Sequence, residues 1–158
     1  PGLYQVRVAV RDKESGRVGG AMQWIEIPDL AARQLTLSSL LLGVQDVKAA
    51  GTNDSISQLQ FSVDHRFARK SPLRFVVFVY NLGSNNGVMQ TQVLRDGKTV
   101  FTDSPRQINA AGRDPARVPY SAEIPLDALE PGRYILQVTA TNSVTGAIAQ
   151  QKSTIIVE

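Results

Sequence analysis

The sequence holds one histidine, His65, and it is the only side chain whose ordinary pKa suits a general base at neutral pH. It lies in "VDHRFARK", next to Asp64. A Ser–His–Asp relay needs a carboxylate on the imidazole's own face, whereas neighbouring residues on a strand point to opposite faces. The plain reading of His65 is therefore a solvated loop residue. There is no cysteine, which removes thiol nucleophiles, disulfides and zinc–thiolate sites together. A single imidazole also falls short of the three or four ligands of a zinc site. Asp103, Asp114, Glu123, Asp127 and Glu130 would make an acid pair or a calcium site only if the fold gathered them. Their turn-like neighbourhoods suit aspartates that bond their own backbone. No glycine-rich phosphate loop precedes a helix. No catalytic residue, no metal ligand and no cofactor site is expected, and the chain reads as a non-enzyme.

Contact surfaces are the better prospect. Arg66, Arg69, Lys70 and Arg74 form a basic run that could meet an acidic partner or lipid headgroups, or simply be a solvated loop. Lys and Arg outnumber Asp and Glu by 17 to 14, and the resulting +3 is too small to imply nucleic acid. No aromatic platform for bases accompanies the run. Trp24, Val76, Phe78 and Tyr80 are candidate interface residues. In "LRFVVFVY", Phe75, Val77 and Val79 alternate with Val76, Phe78 and Tyr80, so both faces of that segment are apolar. The face turned from the core needs a cover: the first hairpin with Trp24, another protein, or the domain's own loops. Exposed aromatics also serve sugar-binding sandwiches, which makes a carbohydrate-binding or hydrolase-associated domain the alternative reading.

The elements that would position these residues are strands. Tyr4, Val6, Val8 and Val10 alternate with polar residues, the period of a half-buried strand. Val18 to Ile27 returns after a turn at Glu14-Ser15-Gly16, and Pro28 ends the pairing. Leu35 to Leu42 is apolar and reads as strand, residues 43–56 as loop, and Ser57 to Val63 as strand. Leu73 to Tyr80 is continuous enough for a strand covered on both faces. Asn85-Asn86-Gly87 is a turn, and Asp96-Gly97 closes a hairpin between Met89–Arg95 and Lys98–Thr102. Residues 103–118 read as a long polar loop and Pro119 to Ile124 as a short strand. Gly132 to Thr141 and Ala147 to Val157 form a last hairpin around Thr145-Gly146. Many short strands and almost no helix predict an all-β sandwich. No apolar run reaches the ~18 residues of a membrane helix.

Residues 1–28 align with 131–158 without a gap. Pro1/Pro131, Gly2/Gly132, Tyr4/Tyr134, Val8/Val138 and Gly16/Gly146 coincide. Val6/Leu136, Asp12/Asn142, Val18/Ile148, Ile25/Ile155 and Ile27/Val157 are alike in type. The shared phrase, Pro-Gly-x-Tyr, has a physical reading. A Tyr just after a tight Pro131-Gly132 corner, at the start of a penultimate strand, suits a tyrosine corner, whose hydroxyl bonds back to upstream backbone. Tyr4 and Tyr134 are both assigned that role. Residues 1–28 thus read as the last two strands of an incomplete preceding sandwich, 29–34 as a linker, and 35–158 as a sandwich of Ig-like or fibronectin-III-like type. An isolated hairpin is marginal in water, so this one is expected to pack on its neighbour, on a partner chain or on further sequence. The chain starts at Pro1 with neither an initiator Met nor a signal peptide, which suits a processed product or a piece of a longer protein.

The phrases "GLYQVRVAVRDKESGRVG", "WIEIPDL", "LTLSSLLLG", "RFARKSPLRFVVFVYN", "QVLRDGKTVF" and "PGRYILQVT" occur in this order along nearly the whole chain. In that order they resemble the C-terminal region of acidobacterial VWFA-related domain proteins. The resemblance implies an exported protein in which Ig-like sandwich material follows a von Willebrand A-type domain. The metal site of that domain, Asp-x-Ser-x-Ser, is not present, since Asp54, Ser55 and Ser57 have the wrong spacing. Metal-dependent adhesion is therefore not implied. The expectation is a periplasmic or secreted interaction or structural module, an accessory subunit or downstream part of a larger assembly, with a membrane-bound complex among the candidate partners.

Overall fold

A computed structural model describes residues 1–45, 59–83, 87–108, 110, 114 and 116–158. Asp54, Ser55 and Ser57, and Asn85-Asn86 of the expected turn, lie outside the described residues. The chain divides into two compact units, Pro1–Gln34 and Leu35–Glu158.

The first unit is a hairpin. Strands β1 (Gly2–Arg11) and β2 (Val18–Ile27) pair antiparallel from Gly2↔Ile27 to Arg11↔Val18. Asp12 organises the turn. Its side chain accepts from the Glu14 amide at 3.0 Å and the Ser15 hydroxyl at 2.6 Å. Gly16 closes the turn at φ +68°, a region open to glycine without a Cβ clash. Beyond Pro28, Asp29 caps a single 3₁₀ turn, Leu30–Ala32, by accepting from the Ala31 amide at 2.9 Å.

The second unit is a two-sheet, almost wholly antiparallel β-sandwich. Its strands are β3 (Thr36–Leu37), β4 (Leu41–Gln45), β5 (Leu59–Phe61), β6 (Arg66–Phe67), β7 (Leu73–Tyr80), β8 (Gly87–Arg95), β9 (Lys98–Thr102), β10 (Arg106–Ile108), β11 (Arg117–Ile124), β12 (Gly132–Asn142) and β13 (Ile148–Val157). One sheet runs β11-β7-β4-β5, with β3 also on β7. The other runs β10-β8-β12-β13-β6, with β9 also on β8. All pairs are antiparallel except β13 with β6. The core lies between the sheets and follows the two-residue period. Leu73, Phe75, Val77 and Val79 of β7 and Val118, Ala122 and Ile124 of β11 meet Met89 and Val93 of β8, Tyr134, Leu136, Val138 and Ala140 of β12, and Ile155 and Val157 of β13.

Three local differences from the sequence reading have physical causes. The segment Leu35–Leu42 is two strands, because Ser38 interrupts it. The Ser38 amide donates to the Phe78 carbonyl at 2.9 Å, and its hydroxyl accepts from the Phe78 amide at 2.9 Å, so a side chain stands in for main chain in the ladder. The polar stretch 103–118 contains β10, and "DHRFAR" contains β6. Both are too short for alternation to register, and both exist because a sheet edge offers them partners: β10 on Val88, and β6 on Ile156 and Val157.

Candidate functional site

The best-defined polar geometry surrounds Tyr134. Pro131 and Gly132 turn the chain into β12, with Gly132 at φ +152°. The buried Tyr134 ring points into the core, while its hydroxyl donates to the Glu130 carbonyl at 2.6 Å. Arg95, at the end of β8, donates to the same hydroxyl at 3.1 Å and holds its guanidinium carbon 5.3 Å from the ring centroid. A side chain at position 132 would meet that guanidinium at 3.2 Å. This is a tyrosine corner with a cation behind it. Its geometry ties a strand start to the loop before it.

Tyr4 occupies the matching place in the first unit, two residues after Gly2 at φ +135°. The likeness extends through the hairpin. Tyr4↔Ile25 matches Tyr134↔Ile155, and Gly2↔Ile27 matches Gly132↔Val157. Every described pair from Gly2 to Arg11 has its counterpart from Gly132 to Thr141. The turns agree atom for atom in pattern. The Asp12 amide donates to the Arg17 carbonyl and the Gly16 amide to the Asp12 carbonyl, as Asn142 does to Ala147 and Gly146 to Asn142. Asn142 also accepts from the Val144 and Thr145 amides at 2.9 and 3.0 Å. The surroundings differ. Tyr4, Val6, Val8, Val10, Ile25 and Ile27 are all 39–67% exposed. Tyr134, Leu136, Val138, Ala140, Ile155 and Val157 are at most 2% exposed.

The four candidate interface residues belong to different units, Trp24 to the first and Val76, Phe78 and Tyr80 to the second. Val76 is fully buried, although it lies on the face of β7 opposite the core, beside Leu41 and Ser121. Phe78 and Tyr80 follow on that face, half-buried, with ring centroids 6.4 Å apart. The Arg117 guanidinium covers Phe78 at 4.1 Å. Trp24 is exposed on the hairpin face that carries Gln5, opposite to that of Tyr4 and Val6.

The basic run is likewise dispersed. Arg66 pairs with Glu158 and, at 3.9 Å, with Asp64. Arg69 donates to the Asp127 carbonyl at 2.8 Å. Arg74 pairs with Glu123 at 3.4 Å. Lys70 is exposed. The chain reverses between Arg66 in one sheet and Arg74 in the other, which separates residues adjacent in sequence. His65 lies in the loop between β5 and β6, half-buried rather than fully solvated, at φ +55°, with Nδ1 3.1 Å from the Thr154 carbonyl. Its own carbonyl accepts from the Ile156 amide at 2.9 Å. His65 thus fastens β6 to β13.

The carboxylates serve local structure. Asp103 pairs with Arg106 at 2.9 Å, and Asp114 accepts from the Ala116 amide at 2.9 Å. The Arg66 amide, then the Ser62 hydroxyl, hold the Asp64 carboxyl below its usual range. The Ser15 hydroxyl, then the Glu14 amide, do the same for Asp12. Burial pushes the Tyr120 phenol up, opposed by Arg106 and aided by Asp103. Among the described residues, no group of three or more His, Asp or Glu is placed to hold a metal ion, and no helix is long and apolar enough to cross a membrane.

Arg95, Asn142 and Arg117 carry much of this geometry, yet the sequence reading passed over them. Asn142 was visible only as the counterpart of Asp12. Arg95 and Arg117 act across strands, and no spacing along the chain announces such contacts.

No family model matches the chain, and no curated protein matches it. Among solved structures, the chain is similar to the crystal structure of the PmoD soluble domain from a Methylocystis species. The identity is 12% and the TM-score 0.44, over 75% of this chain and 90% of that one. It is also similar to the solution structure of a CARDB domain from Pyrococcus furiosus. There the identity is 13% and the TM-score 0.34, over 78% of this chain and 95% of that one.

Proposed function

We propose that this chain is a non-catalytic β-sandwich module that acts outside the cytoplasm through protein–protein contact or structural support. It serves as an accessory subunit or downstream part of a larger assembly, including assemblies attached to a membrane. The observation that carries this reading is the apolar face of β1–β2, where Val8 and Val10 are 58% and 67% exposed. Contiguous apolar surface of that kind marks a contact site. The polar groups of the second unit support it from the other side. Tyr134, His65, Arg66 and Asp103 are each engaged with backbone or with a partner charge, in arrangements that hold strands together. The resemblance to exported VWFA-related proteins supports the extracytoplasmic assignment.

Native mass determination of the protein purified from its source tests the proposal. Co-purification of at least one further protein, giving a mass above that of the polypeptide alone, is expected. A stable monomer with no co-purifying protein would contradict it, as would saccharide binding abolished by Trp24→Ala.

A further inference from the structure

We infer that β1–β2 is the closing hairpin of a second sandwich, and that its apolar face and its open edge receive a β-sheet body built like residues 35–130. That body is encoded N-terminal to Pro1 in the same polypeptide. The second unit shows what such a hairpin needs. The buried face of β12–β13 lies under the opposite sheet, against β7 and β11. The edge of β12 away from β13 is taken by β8, from Ile135↔Leu94 to Asn142↔Gly87. All of the covering strands precede the hairpin in sequence.

The first hairpin reproduces register, turn and the glycine at the corner, and it places apolar residues at the positions that are buried in the second. Its other face is mixed, with Gln5, Arg7 and Glu26 beside the exposed Leu3, Met22 and Trp24, so the match to the buried positions of the second hairpin, not polarity alone, marks the face to be covered. Among the described residues, β1 and β2 form a two-stranded sheet, so the β1 edge that corresponds to the β8-paired edge of β12 has no strand on it. A row of unpaired main-chain donors and acceptors beside an apolar face is a template for an added strand.

Two features select the occupant. A second copy of the chain carries its own β12–β13 in the place the hairpin would fill, so its sandwich offers no equivalent vacancy. The strands that cover β12–β13 all precede it in sequence, so a body of matching topology precedes β1–β2. The inference rests on the downstream-module form of the proposed reading and assigns this face to the same polypeptide. A different protein on this face would overturn the inference and leave the broader reading standing.

The test compares the polypeptide as its gene encodes it, extended N-terminal to Pro1, with the 158-residue chain. The readout is residue-resolved amide hydrogen exchange. Amides of β1 that point away from β2 are expected to gain at least about 100-fold protection in the longer polypeptide. Val8→Asp is expected to abolish that gain, while Arg7→Glu on the opposite face preserves it and β12 is unchanged by either. Equal exchange in the two polypeptides would overturn the inference. So would protection already present in the 158-residue chain, whether it depends on concentration or not. An upstream sequence without strands, or loss of protection with Arg7→Glu as well, would have the same consequence.

Discussion

The same hairpin occurs twice in this chain, once buried and once exposed. In β12–β13 the inward residues sit in a core, the turn is anchored by a buried Asn142, and the corner tyrosine is bonded on both sides. In β1–β2 the pairing and the turn are the same, yet the corresponding side chains face outward. The difference teaches that register and turn chemistry are local properties carried by about one hairpin's length of sequence. Burial is a property of what lies across the sheet.

That contrast predicts unequal costs for matched substitutions. Trp24 is the only tryptophan, so its fluorescence follows the first unit, while far-UV dichroism is dominated by the second. The largest expected difference is at the strand centre. Leu136→Ala removes a fully buried side chain and should cost the second unit about 2–5 kcal/mol in urea denaturation. Val6→Ala at the matching position should leave that transition within about 0.5 kcal/mol of the parent. Equal costs would mean that the exposed face is covered after all.

The turns come next. Asn142 donates to the Leu82 carbonyl at 2.7 Å besides accepting two amides, all within a buried site. Asn142→Ala should therefore cost about 1–3 kcal/mol, and Asp12→Ala should leave the second unit's midpoint in place. At the corners, Tyr134→Phe removes the donor to Glu130 and the acceptor for Arg95, a loss of about 0.5–1.5 kcal/mol. Tyr4→Phe should leave the same midpoint unmoved.

The smallest effects are in pH. Hydrogen bonds lower the Asp12 pKa in the folded turn. The stability they add is in place above the ordinary carboxylate value and is lost as pH falls through the lowered one. Asn142 has no such titration. In an acid titration followed by NMR, the Glu14 amide should shift and the Val144 amide should not. Tyr120 behaves oppositely, since burial raises its pKa. Its contribution is complete below the ordinary tyrosine value and falls as pH rises through the raised one, so Tyr120→Phe should flatten the alkaline limb of the second unit's stability.

The long strands were legible because two-residue alternation and turn residues act over a few positions. β2, β7 and β9 have the bounds their apolar runs suggested, and Asp96-Gly97 sits at positive φ in the hairpin it predicted. The internal repeat was legible for the same reason. Edge strands β6 and β10 were not, because two or three residues acquire strand character only from a neighbour. The candidate interface and basic residues were read from adjacency along the chain. Adjacency does not say which face a side chain takes: Trp24 lies on the face of its hairpin opposite Tyr4, and Arg74 pairs with Glu123.

Amide exchange across the two matched strands of the 158-residue chain tests the contrast most directly. Amides along β12 should exchange only with unfolding of the whole second unit, and those of β1 that point away from β2 should exchange orders of magnitude faster. Protection of β1 equal to that of β12 would contradict the account.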